Sequence, residues 1–191
     1  MEWEKEKKEI VRVAKYLYEK GFVIEKSGNI SIRVKDNLVL ITPKGTSYED
    51  FTESDIVTID MAGNLIDGNL EPSSEKKLHL EIYKARKDVN AIIHIHSLFA
   101  CTMAALELNL PIILDEQELV LGGEIKVAKY ALPGSEELAL NAVKELGNKK
   151  AVFLSRHGAV CVGENINEAL IVCKILEKVC QTYLLIRMIK Q

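Results

Sequence analysis

The sequence predicts an α/β fold in which a mixed sheet is covered on both faces by helices. Two observations carry this. Segments of helical periodicity interleave with short strand-like runs along the chain, and some neighbouring runs are separated only by turn residues, so hairpins stand beside longer crossovers. At 191 residues, without internal repeats or low-complexity tracts, the chain suits one domain over residues 1–191 with one sizeable core.

The elements follow in order. Ile10, Val13, Ala14 and Leu17 recur at steps of three and four residues, giving an amphipathic helix that Gly21 terminates. Ile30-Ser31-Ile32-Arg33-Val34 alternates apolar and polar side chains, Asp36-Asn37 supplies a turn, and Leu38-Val39-Leu40-Ile41 completes a hairpin. Ile56-Val57-Thr58-Ile59, the turn Met61-Ala62-Gly63-Asn64 and Leu65-Ile66 form a second such unit. Pro72 opens a helix, and Leu78, Ile82 and Ala85 keep helical spacing over residues 75–87. Residues 91–96 read as a short buried strand, 98–108 as a helix, and a break at Pro111 leads into a mixed stretch around Gly122-Gly123. A helix over Glu136–Leu146 precedes the apolar runs 151–154 and 159–162, and a last helix from Asn167 reaches almost to the carboxyl end.

Composition excludes several classes. A net charge of −3 and a pI near 5.9 provide no basic field for nucleic acid. The run Met1-Glu2-Trp3-Glu4-Lys5-Glu6 is charged from its start, and no segment reaches the length of a membrane span, so a cytoplasmic location with no membrane partner is expected. Cys101, Cys161, Cys173 and Cys180 lack C-x-x-C spacing and sit in apolar contexts, which suits reduced packing residues.

Chemistry concentrates on few residues. In His94-Ile95-His96 the period of a strand puts both imidazoles on one face, about 7 Å apart at Cα, a separation suited to joint coordination. His157, directly after the apolar run Val152-Phe153-Leu154, can add a third ligand and leave a position open for substrate. The competing reading is three unrelated histidines. His79, on the helix after Glu75, reads as a packing or hydrogen-bonding group.

Ser27-Gly28-Asn29, Pro43-Lys44-Gly45-Thr46 and Pro72-Ser73-Ser74-Glu75 are small-residue turns rich in donors. Ser73 and Ser74 at a helix amino terminus suit either an anion or an ordinary N-cap. Glu75 either complements the helix dipole or acts as an acid/base beside the anion and metal. Asp115-Glu116-Gln117-Glu118 is either a solvated helix start or a source of a second acid/base group.

Taken together, Ser27-Gly28-Asn29-Ile30-Ser31, Ile41-Thr42-Pro43-Lys44-Gly45, Pro72-Ser73-Ser74-Glu75, His94-Ile95-His96 and Arg156-His157-Gly158 resemble the class II aldolase family in order and spacing, from about residue 21 to 184. The resemblance implies a three-layer α/β/α sandwich with a mixed, mostly antiparallel central sheet, assembled as a homotetramer with metal sites at subunit interfaces. It implies His94, His96 and His157 as ligands of Zn2+, or of Mn2+ or Co2+. Asn29, Gly45, Ser73 and Ser74 would hold substrate phosphate, and Glu75 would be the catalytic acid/base. Lys44 stands where several relatives carry threonine or serine, and its ammonium either strengthens phosphate binding or faces solvent.

The activity implied is reversible cleavage of a small ketose 1-phosphate, such as L-fuculose 1-phosphate, to dihydroxyacetone phosphate and L-lactaldehyde, with the metal as Lewis acid. Some relatives draw a second acid, a tyrosine, from the region of Asp115 and Glu116; none stands here, so Glu118 and then Glu116 are the candidates. The alternatives are a ribulose-phosphate 4-epimerase, which typically has aspartate in place of Glu75, and a methylthioribulose-phosphate dehydratase, which usually carries a cysteine near Ser73-Ser74. A non-catalytic metal-binding domain is the alternative outside enzymes.

Overall fold

A computed structural model describes residues 3–35 and 37–190. Met1 and Glu2, and Asp36 of the expected Asp36-Asn37 turn, lie outside the described residues. The elements are α1 (Glu4–Glu19), β1 (Asn29–Lys35), β2 (Leu38–Ile41), β3 (Val57–Asp60), β4 (Leu65–Asp67), α2 (Lys76–Ala85), β5 (Ala91–Ile95), α3 (Leu98–Ala105), α4 (Asp115–Leu121), β6 (Val127–Ala128), α5 (Glu136–Leu146), β7 (Ala151–Leu154), β8 (Gly158–Gly163) and α6 (Ile166–Ile189). Among the described residues one eight-stranded sheet has the order β4-β3-β2-β1-β5-β8-β7-β6, antiparallel at every pairing except β6 with β7. The fold is therefore α/β with a mixed, mostly antiparallel sheet between helical layers.

Strand alternation sorts side chains onto two faces. Ile30, Ile93, Ile95 and Phe153 join a core with α1, α3, α4 and α6. Ile92, Val152, Leu154 and Val160 join a second core with α2 and α5. The α1 register is set by Ile10, Val13, Ala14 and Leu17, all fully buried, and the helix closes with Phe22 N–H returning to the Leu17 carbonyl at 2.8 Å.

Two expectations need correction. The α2 helix begins at Lys76 and not at Pro72. Lys44 N–H bonds the Glu71 carbonyl and Ser73 N–H bonds the Thr42 carbonyl, so residues 71–73 are held extended beside 42–44 and cannot enter the helix. The α3 helix stops at Ala105, because Glu107 adopts a left-handed conformation (φ 53) and Leu108 N–H turns back to the Met103 carbonyl. The stretch before Gly122-Gly123 holds the short helix α4, and β6 follows it.

One strand ties down one helix. The alternate β1 residues Asn29, Ser31 and Arg33 all reach α2, from its amino to its carboxyl end. Asn29 and Ser31 bond side chains on or just before it, and Arg33 donates to the carbonyls of Tyr83 at 3.0 Å and Lys87 at 2.8 Å, satisfying groups that the helix end leaves open.

Candidate active site and metal centre

The site forms where β1, β5 and β8 approach the amino end of α2. His94 and His96 project from the end of β5 toward the α2 side, and His157 occupies the turn between β7 and β8. His94 Nε2 lies 2.9 Å from His96 Nε2 and 3.3 Å from His157 Nε2. Two nitrogens bound tetrahedrally to one zinc at about 2.05 Å would stand about 3.3 Å apart, so this convergence fits a single cation. His94 Nδ1 donates to the Ala159 carbonyl at 3.0 Å, which leaves its Nε2 as a lone pair aimed at the cluster. Among the described residues these three histidines are the group that can hold a metal ion.

Two glycines make the convergence possible. A Cβ on Gly158 would stand 2.4 Å from the Ile95 carbonyl oxygen and 3.2–3.3 Å from the rings of His96 and His94. A Cβ on Gly28 would meet the His94 carbonyl oxygen at 2.8 Å, and Gly28 also has φ +76. Behind His96, the Glu177 carboxylate of α6 accepts from Ser97 Oγ at 2.6 Å and from the amides of Phe99 and Ala100, fixing the start of α3.

Glu75, at the N-cap position of α2, is 7% exposed and aims into the histidine cluster. Its Oε2 accepts from Asn29 Nδ2 at 3.0 Å and lies 3.1 Å from His94 Nε2. Its Oε1 is 3.6 Å from His157 Nε2 and has no hydrogen-bond partner. Burial pushes the carboxyl pKa up, but the imidazoles of His94 and His157 and the Asn29 amide outweigh it and hold Glu75 well below the usual carboxylate range. Burial, with His94 beside them, lowers His96 to about 3 and His157 to about 4, which keeps their lone pairs available at neutral pH. Burial also opposes charge on His94, yet Glu75 raises it, so a proton and a cation compete for its Nε2.

A cavity of about 210 Å³ brings Asn29, Lys44, Gly45, Ser73, Ser74 and Glu75 together with His96 and His157. The arrangement has an order. Asn29 is committed to Glu75, and Ser73 Oγ takes the Glu75 N–H at 3.2 Å, so both residues position the carboxylate as well as line the cavity. Lys44 stands at the rim, 3.1 Å from Glu71. Glu116 and Glu118 are not brought here within one chain. Glu116 lies 2.7 Å from Lys178, and Glu118 faces a separate groove beside Gly122 and Lys149. A larger groove of about 570 Å³, near Lys5, Arg33 and Asn167, lies away from the histidines and, among the described residues, gathers no ligand set. No helix of the described residues is long and apolar enough to cross a membrane.

Sequence reading missed the layer behind Glu75: Ser31, Tyr83 and the pairing of His79 with Asn29. The available signal was Asn29-x-Ser31-x-Arg33, polar side chains at period two on a strand whose other face is apolar.

The model for the class II aldolase and adducin N-terminal domain matches residues 8–184. An L-fuculose phosphate aldolase of Methanococcus maripaludis is 36% identical over 173 residues, covering 91% of this chain and 93% of that protein. A 5-deoxy-D-ribulose 1-phosphate aldolase of Bacillus thuringiensis is 34% identical, covering 94% of this chain and 84% of that protein. A solved structure of an L-fuculose 1-phosphate aldolase has a TM-score of 0.93 at 34% identity, over 97% of this chain and 87% of that one.

Proposed function

The chain belongs to the class II aldolase and adducin family, and we propose that it reversibly cleaves a ketose 1-phosphate, such as L-fuculose 1-phosphate, to dihydroxyacetone phosphate and L-lactaldehyde. The observation that carries this reading is the placement of Glu75. One of its oxygens is held by Asn29 and the other is unbonded, beside three converging imidazoles and in one cavity with three donor-rich turns.

The residues divide the work. Gly45, Ser73, Ser74, Lys44 and the second N–H of Asn29 receive the phosphate, a mixture of neutral donors and one ammonium suited to a dianion. His94, His96 and His157 would hold a divalent cation, zinc first with manganese and cobalt as alternatives, which supplies Lewis acidity where negative charge develops on the substrate oxygens. Glu75 Oε1 gives a proton to the carbon left by bond cleavage and removes it again in the condensing direction. The depressed pKa keeps Glu75 ionised for the condensing direction; in the cleavage direction it must first take up the proton that it gives to the carbon.

A second acid/base must handle the aldehyde oxygen. Glu118 and Glu116 remain the candidates, and their position outside the cavity means that they would act from a neighbouring copy in a homotetramer with interface sites. The same site accommodates 5-deoxy-D-ribulose 1-phosphate as a second reading, favoured by the Bacillus relative, because both substrates share the dihydroxyacetone phosphate half and differ in the aldehyde.

The test is release of dihydroxyacetone phosphate from L-fuculose 1-phosphate by purified protein, abolished by chelator and restored by zinc. An inversion of configuration without carbon–carbon cleavage on a pentulose phosphate would replace the aldolase reading with an epimerase.

A further inference from the structure

We propose that His79 is a positioning residue for this reaction: acting through Asn29, it determines which oxygen of Glu75 is left free to carry the proton. The proposal rests on the aldolase reading for its kinetic consequence and on geometry alone for its structural one.

Glu75 Oε2, Asn29, His79, Ser31 and Tyr83 form a continuous buried chain. Asn29 Nδ2 stands 3.0 Å from Glu75 Oε2, Asn29 Oδ1 2.5 Å from His79 Nε2, His79 Nδ1 2.6 Å from Ser31 Oγ, and Ser31 Oγ 2.8 Å from the Tyr83 hydroxyl. His79 and Ser31 are fully buried, so water cannot substitute for a lost partner.

With a neutral imidazole at His79, valence fixes the hydrogens from Glu75 as far as Ser31. A carboxylate only accepts, so Asn29 turns its NH2 to Glu75 and its carbonyl to His79. That carbonyl also only accepts, so the imidazole carries its proton on Nε2 and presents a lone pair at Nδ1. Ser31 must then donate to Nδ1, and of the two acceptors near the Tyr83 hydroxyl, Ser31 Oγ at 2.8 Å and the Asn90 carbonyl at 3.5 Å, the nearer serine oxygen takes its proton. All donors run one way and end on Oε2. The consequence falls on the other oxygen: with Oε2 occupied, the unbonded Oε1 is the free base. Were the Asn29 amide to flip, its carbonyl would face the carboxylate, repel it and release the choice of oxygen. His79 prevents the flip because a neutral Nε2–H imidazole accepts nothing at that position.

Two measurements test this. In zinc-loaded protein with 15N-histidine, the resonances that disappear in His79→Leu should show the neutral Nε2–H tautomer at pH 7.5. An Nδ1–H tautomer or an imidazolium there would overturn the proposal whatever the substrate. In kinetics, His79→Leu should lower kcat ~10–100-fold with KM and zinc content unchanged, the scale seen when an outer partner of a reacting group is lost. His79→Gln, which can donate to Asn29 and accept from Ser31, should recover most of that loss, and adding Ser31→Ala to His79→Leu should cost little more.

Parental kcat in His79→Leu, or an equal loss in the leucine and glutamine variants, would show that His79 only packs. If the leucine variant does not fold, Ser31→Ala supplies the test through a few-fold fall in kcat at constant KM. A parent protein that releases no dihydroxyacetone phosphate would refute the aldolase reading and leave the tautomer measurement to decide the structural claim.

Discussion

The two faces of the sheet are built from the same strands and do different work. Toward α1, α3, α4 and α6, strands β1, β5, β7 and β8 present Ile30, Ile93, Ile95, Phe153 and Cys161, all fully buried. Toward α2, β1 and β5 present Asn29, Ser31 and His94, which meet Glu75, His79 and Tyr83. One residue of translation along a strand separates the two environments. Stability of the first face depends on filled volume, whereas the second, beside its own apolar core, adds a cost for every polar group left unpaired. Among the described residues nearly every group there is paired, and the exceptions, Glu75 Oε1 and His157 Nδ1, sit in the histidine cluster.

That difference is testable because it separates activity from stability. The largest effect is expected on the polar face. Glu75→Gln keeps the volume and the Asn29 contact but removes the base, and should lower kcat for dihydroxyacetone phosphate release by about 10²–10⁴-fold, with melting temperature and zinc content unchanged. Turnover at the parent rate would remove Glu75 from the chemistry. On the apolar face, Phe153→Ala should cost about 3–5 kcal/mol and shift the melting temperature down by roughly 6–20 °C while leaving kcat per folded molecule intact. Calorimetry beside a rate measurement below the transition checks both; a kcat loss without a stability loss would mean that the faces are not independent. Next comes His96→Ala, which should weaken zinc binding by about 100-fold or more, read by competition with a chelator, because two imidazoles remain.

The apolar face was the more legible in sequence. Period-two alternation in Ile30-Ser31-Ile32 and the 3.6-residue period of α1 are local properties of the chain. His94-Ile95-His96 was readable for the same reason, since a strand places both imidazoles on one face. What stayed hidden depends on long-range contact. Asn29 and His79 are fifty residues apart, and nothing local says that β1 lies over α2. The start of α2 was misplaced for a related reason: Pro72 is a favourable helix opener, but bonds between residues 42–44 and 71–73 take the backbone groups that a first turn would need. The acids of α4 are a different case. Their spacing showed a charged helix start, and only the tertiary structure shows Glu116 beside Lys178 and Glu118 in another groove.

The smallest expected effect concerns acid stability and distinguishes a neutral buried relay from a charged one. Burial lowers the His79 pKa to about 3, with His94 acting in the same direction and Glu75 against it; the neutral groups bonded to the ring are Asn29 and Ser31. Unfolded, the same imidazole titrates near 6.5. Between those values the unfolded chain binds the extra proton, so stability rises with pH there. The contribution is complete above the unfolded pKa and is lost as pH falls toward the folded one, at up to about 1.4 kcal/mol per pH unit. His79→Gln removes this titration and leaves the other histidines in place. Urea midpoints for parent and variant at pH 7.5 and 5.0, each at the same free zinc concentration, should therefore show the parent losing about one to two kcal/mol more than the variant across the interval. Equal losses would mean that the folded protein accepts a proton on His79. The donors along β1 and α2 could not then all run toward Glu75, and the polar face would lose the fixed order that sets it apart from the apolar one.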